Sequence, residues 1–154
     1  MPDATRIGKG GHVRKLVTTV IIALLFSVQV FAAPAEDEIR KLLHSTFDKP
    51  ETRLIVDPVV VAGDHAIAGW SQGEIGGRAL LHRRGGAWSL ILCSGDGIKT
   101  AAALRQAGLP AGEAGALARR LAEAERKMPP ERLALFSKFE GIVMMDASGK
   151  HPPH

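Results

Sequence analysis

The side chains here with the richest chemistry are a single thiol, Cys93, six histidines and four methionines. Thiolate and thioether are soft donors suited to Cu(I), and imidazole suits copper in either oxidation state. Met144-Met145-Asp146 and His151-Pro152-Pro153-His154 bring two methionines and two histidines within eleven residues of the C-terminus. A metal reading therefore falls on His65, Cys93, Met144 and Met145. Cys93 and His65 also suggest a nucleophile and base, which requires hydrogen-bond reach between them.

Each of these residues also has a structural reading. A lone cysteine behaves as a small buried apolar side chain. Met128 extends the stripe of its helix, and Met144-Met145 can finish a core strand. His44 falls on a helix flank. His82 stands beside Arg83 and Arg84, whose charge opposes a bound cation. His65 follows Asp64, and an Asp–His hydrogen bond there would be structural. There is no G-x-S-x-G, H-E-x-x-H, P-loop or C-x-x-C, so no catalytic residue is assigned. The Gly-rich segment Gly73–Gly77 reads as a hairpin and not as a phosphate cradle, because no helix follows it.

The N-terminus fixes the expected compartment. Arg6, Lys9, Arg14 and Lys15 precede an apolar run from Leu16 to Phe31, and Val30-Phe31-Ala32 fits a peptidase site. This predicts a Sec-type signal peptide over 1–32, cleaved after Ala32. The run, about 16 residues, falls short of the roughly 20 that a membrane span needs. Contact with the membrane is thus expected only through the signal, before cleavage. The whole chain carries 20 basic and 16 acidic residues; without the four basic groups and one acidic group of the leader, 16 and 15 remain. A net charge of +1 on the mature part, from those 16 and 15, gives no basis for nucleic-acid binding.

The remaining chain suits one domain, 33–145, with a flexible polar tail at 146–154. Ile39, Leu42, Leu43 and Phe47 share a stripe, so Ala35–Phe47 reads as a helix, with Glu36, Asp37 and Glu38 in its first turn. Four strand-like runs follow: Arg53–Val61, with Pro58 marking an edge or bulge, then His65–Gln72, Arg78–Arg83 and Trp88–Cys93. Simple alternation puts Trp88, Leu90 and Leu92 on one face and Ser89, Ile91 and Cys93 on the other. Helices are expected over Ile98–Ala107 (Asp96 as N-cap, Gly108 as C′), from Pro110 through the Ala114–Ala124 stripe, and over Glu131–Phe139. A short apolar run, Ile142–Met145, ends the domain. The fold class is α+β: an N-terminal helix on a four-stranded antiparallel meander, then two to three helices, one sheet face covered. A cystatin-like or NTF2-like cone is the nearest shape. Such a cone predicts a small-ligand cavity lined by Trp70 or Trp88 and the first helix, without clustered donors.

The segment Val59–Leu81, with Gly86–Asp96 and Leu133–Gly141, resembles the copper uptake system-associated proteins. These are small exported alphaproteobacterial proteins encoded near periplasmic copper chaperones. The resemblance covers about Ala35 to Met145. It implies a periplasmic, non-enzymatic accessory of copper uptake or homeostasis that binds a copper ion or docks to a copper chaperone. It carries a compartment and a pathway but no ligand set. His65, Cys93, Met144 and Met145 fall inside or at the border of the resembling stretch, and the tail histidines fall outside it. An NTF2-like small-ligand module and a Cys/His-dependent enzyme are the other expectations.

Overall fold

Three two-residue turns shape the middle of the chain: Gly63-Asp64, Gly73-Glu74 and Gly85-Gly86. Their glycines take φ of +58°, +61°, +56° and +82°, the left-handed conformations that tight hairpins demand. They join β1 (Leu54–Ala62), β2 (His65–Gln72), β3 (Ile75–Arg84) and β4 (Ala87–Ser94) into an antiparallel meander. α1 (Ala35–Phe47) precedes them; a 3-10 turn (Asp96–Ile98), α2 (Ala101–Gln106), α3 (Ala111–Glu125), α4 (Pro130–Ser137) and β5 (Ile142–Met144) follow. The structure is a computed structural model and describes residues 34–145. The expected signal peptide and tail lie outside the described residues, among which no helix is long and apolar enough to cross a membrane.

The class is α+β, as the sequence implies, but the sheet has five strands in the order β1-β2-β3-β4-β5. The fifth is the Ile142–Met144 run, where Leu92, Cys93 and Ser94 face Met144, Val143 and Ile142. Both faces are covered, not one. On the first, α1 buries Ile39 and Leu43 against Leu54, Val56, Ala66, Ala68, Ala79, Leu81, Trp88 and Leu90. On the second, Val60, Ala62, Ile67, Leu80 and Leu92 pack with Leu104 of α2 and Ala114, Leu117 and Leu121 of α3. β2 and β3 are therefore buried on both sides, which is why their sequences are nearly continuous in small and apolar residues.

Two bulges set which residues face which core. One lies between Val56 and Val59, at Asp57-Pro58, on the edge strand β1. The Pro58 signal is thus realised as both edge and bulge. The second lies in β4, where Leu81 pairs with Leu90 but Leu80 pairs with Leu92, leaving Ile91 as the extra residue. A single extra residue reverses every later side chain. Trp88 and Leu90 face α1, Leu92 faces α3, and Cys93 returns to the α1 side. The simple alternation expected for Trp88–Cys93 is corrected by this bulge.

Capping also differs from expectation. Thr100 caps α2, its Oγ1 accepting the Ala103 N–H at 3.1 Å. Asp96 is taken up elsewhere: it accepts Arg78 Nη1–H and Ser137 Oγ–H, each at 3.1 Å. Arg78 is wholly buried on the α3 side and donates Nε–H to Glu125 Oε1 at 2.6 Å and Nη1–H to the Gly95 carbonyl at 3.0 Å. Phe136 of α4 stacks near the same guanidinium, 5.3 Å from its ring centre. One buried cation thus ties β3 to α3, to α4 and to the turn between β4 and α2. Gly108, at φ +97°, closes α2, with Leu109 N–H bonded to Leu104 O at 3.1 Å.

Candidate functional site

The α1 stripe and the strand parity together leave a gap. Leu43 and Phe47, from the C-terminal half of α1, stand over the first sheet face beside Leu54, Trp70 and Ala79. Cys93, Val143, Met145 and Phe139 close the other side, and the resulting cavity has a volume of about 260 Å³. Ile75, also at the wall, is more than half exposed, so the cavity reaches the surface beside the β2–β3 turn. Its walls are overwhelmingly apolar and hold no charged side chain.

Local features hold these walls in place. Phe139 meets the Trp70 ring edge-on, with centroids 5.8 Å apart. Gly77 lies under both rings; a Cβ there would sit 3.1 Å from each. Gln72 is also lining, but its amide nitrogen is spent on the Phe47 and Thr52 carbonyls, at 3.0 and 2.8 Å. The β4 bulge anchors the last wall, since Ile91 O accepts the Met145 N–H at 2.9 Å. The same bulge therefore turns Cys93 inward and holds Met145 beside the cavity.

Burial pushes the Cys93 thiol up to about 12, only partly offset by the neighbouring Trp70 N–H. That indole N–H is itself buried and reaches full hydrogen-bond geometry with no acceptor among the described residues. A thiol in this state is protonated at neutral pH and is a poor nucleophile.

The four residues singled out in the sequence do not come together. Cys93 and Met145 line one cavity. Met144, on β5, is more than half exposed. His65 lies on the opposite face of the sheet, where its Nδ1 is 2.6 Å from Glu113 Oε2 of α3. A Cys93–His65 dyad requires β2 and β4 to be neighbours, but β3 lies between them, and the Ile91 bulge also turns Cys93 to the face opposite His65. The expected Asp64–His65 bond is also replaced: Asp64 pairs with Arg83. His65 stacks flat on His82, centroids 4.4 Å apart, and Arg84 Nε–H donates to His82 Nδ1 at 2.9 Å. Parallel rings cannot both direct a lone pair at one ion, and the Arg84 bond occupies His82 Nδ1. Among the described residues no group of three or more His, Cys, Asp or Glu is placed to hold a metal ion.

Sequence reasoning passed over Arg78 and Glu125, whose pairing across 47 residues leaves no local trace. It also passed over Phe139, which closes the cavity. An aromatic just past the end of α4, facing Gly77, is the one signal it left.

No family model, curated protein or solved structure matches this chain.

Proposed function

We propose that this domain is a non-enzymatic binding module that holds a small, neutral, mainly apolar ligand between α1 and the sheet. The observation that carries this reading is the cavity of about 260 Å³ walled by Leu43, Phe47, Trp70 and Met145, with no charged group. Natural cores are packed at crystal-like density, and a void this large removes contacts from every side chain around it. A ligand of about ten heavy atoms would restore them, with a Kd on the order of 10–100 µM. Naphthalene has that size and polarity. At ten times its Kd it should stabilise the protein by about 1.4 kcal/mol, read as a raised melting temperature. An unchanged melting temperature at saturation in water would refute the reading.

A second reading places the protein in copper handling after Sec export, as an accessory that binds copper or docks to a periplasmic copper chaperone. The resemblance of whole segments supports it, and so do the two sulfurs, Cys93 and Met145, that line one cavity. Copper here is cargo, and from the four candidates only two soft donors share a site, while His65 faces away. Copper titration of the wild type against Cys93→Ala and Met144→Ala/Met145→Ala tests the binding form. No uptake near micromolar copper would end it and leave docking alone.

A further inference from the structure

The sheet has two edges, and they are finished differently. β1 is closed against a further strand. Its Val56 carbonyl accepts Arg40 Nε–H at 3.4 Å, its Val61 carbonyl accepts Arg120 Nη1–H, and Pro58 at the bulge has no N–H to offer. Among the described residues, β5 carries none of these devices. Met145 N–H donates to Ile91 O at 2.9 Å, and Gly141 O accepts Ser94 Oγ–H at 3.0 Å, so Gly141, Val143 and Met145 turn their backbone groups toward β4. By the alternation of an antiparallel ladder, the N–H and C=O of Ile142 and Met144 point outward, away from the last strand pair of the sheet. The side chains of the same two residues are 58% and 54% exposed, on the face of their cross-strand partners Ser94 and Leu92. Outward main-chain groups and an apolar pair thus occur together, which is what strand addition uses.

The flanks of β5 decide what the added strand is. Exposed Glu140 precedes it, Asp146 follows Met145, and no basic residue lies between Lys138 and Lys150. A second copy is a poor match in each symmetric register. Paired antiparallel about Val143, two copies would set Glu140 against Asp146 across the pair, like charge on like charge. Paired about Ile142 or Met144, they would set an apolar side chain against an acid. We propose that the β5 edge receives an extended segment of another protein, with two apolar residues at i and i+2 bracketed by Lys or Arg. The bases face Glu140 and Asp146, and the apolar pair covers Ile142 and Met144. This docking surface stands apart from the cavity reading, and failure of either leaves the other in place.

The test titrates three acetylated and amidated peptides into the full protein. They are Lys-Thr-Val-Thr-Val-Thr-Lys, the same sequence with both Lys replaced by Glu, and the Lys peptide N-methylated at both valines, whose N–H groups would meet the Ile142 and Met144 carbonyls. The Lys peptide should bind saturably with a Kd on the order of 0.1–1 mM, and the other two at least about tenfold more weakly. Amide exchange locates the contact. In the free protein the Val143 and Met145 N–H groups should exchange slowly and those of Ile142 and Met144 fast, and the Lys peptide should slow the fast pair. Glu140→Lys/Asp146→Lys should reverse the preference toward the Glu peptide. Met144→Pro, which removes an outward N–H and no ladder bond, should abolish binding of all three. No saturable binding of the Lys peptide, equal binding of its N-methylated form, or an unmoved preference in the double variant would overturn the inference. So would slow exchange at Ile142 and Met144 in the free protein. Slowing that grows with protein concentration would assign the edge to a second copy, and slowing at every concentration to the chain's own tail.

Discussion

Cys93 gives a reaction rate that reads the β4 bulge directly. With Ile91 as the extra residue, the thiol faces the α1 core, and burial moves its pKa from 9.0 to about 12. Three units lower the thiolate population about 1000-fold at neutral pH. A more basic thiolate attacks faster, and a Brønsted coefficient of about 0.4–0.5 returns roughly 15–30-fold of that loss. The net slowing from ionisation alone is about 30–60-fold, and the restricted access of a side chain only 5% exposed adds to it. The assay is reaction with an aromatic disulfide at pH 7.5, folded protein against the same protein in denaturant. Saturating apolar ligand should slow the folded reaction further, since Cys93 is part of the cavity wall. A folded rate within about threefold of the unfolded one would refute the burial, the bulge register and the assignment of the cavity wall together.

Other outcomes follow from the same contacts. Glu125→Ala leaves Arg78 buried without its closest carboxylate and should cost about 3–5 kcal/mol in urea unfolding, against about 5–15 for a whole domain. Arg78→Met/Glu125→Leu should recover most of that loss. Leu43→Trp should fill the cavity, lower ligand affinity at least tenfold and change stability by less than about 1.5 kcal/mol, because the added ring enters existing space. His82 is held below the ordinary imidazole range by burial, then by His65 and Arg84, with Asp64 and Glu113 opposing. The unfolded chain therefore binds the proton more readily. Stability is full above about pH 6.5 and falls as pH drops through the folded value, and His82→Gln should flatten that part of a melting-temperature profile.

The sequence made much of this fold legible because its signals are local. The α1 stripe, the Gly63-Asp64 and Gly85-Gly86 turns and the Pro58 bulge each act within a few residues and appear where they were expected, while the Gly73–Gly77 hairpin loop is shorter than expected, with β3 already beginning at Ile75. The β4 parity was hidden for a physical reason. Leu90-Ile91-Leu92-Cys93 is apolar throughout, so it fits either face and cannot report a phase change. That ambiguity passed directly into the site, because an unbroken β4 would have turned Cys93 toward the face of His65. The second helical layer was also underestimated. Ala66-Ile67-Ala68 and Ala79-Leu80-Leu81 suit two covered faces as well as one, and only the packing of α3 distinguishes them. The Arg78–Glu125 pair is a long-range contact between two charged residues that look solvent-facing in isolation.

The two faces of the sheet supply their own control for the binding claim. Methyl NMR of the full protein, titrated with 2-methyl-1-nonene, should show saturable shifts at Leu43, Leu54, Val143 and Met145. Ile67, Leu80 and Leu117, on the α3 side, should stay in place. Unmoved resonances on the α1 side, or equal movement on both faces, would contradict a ligand site between α1 and the sheet.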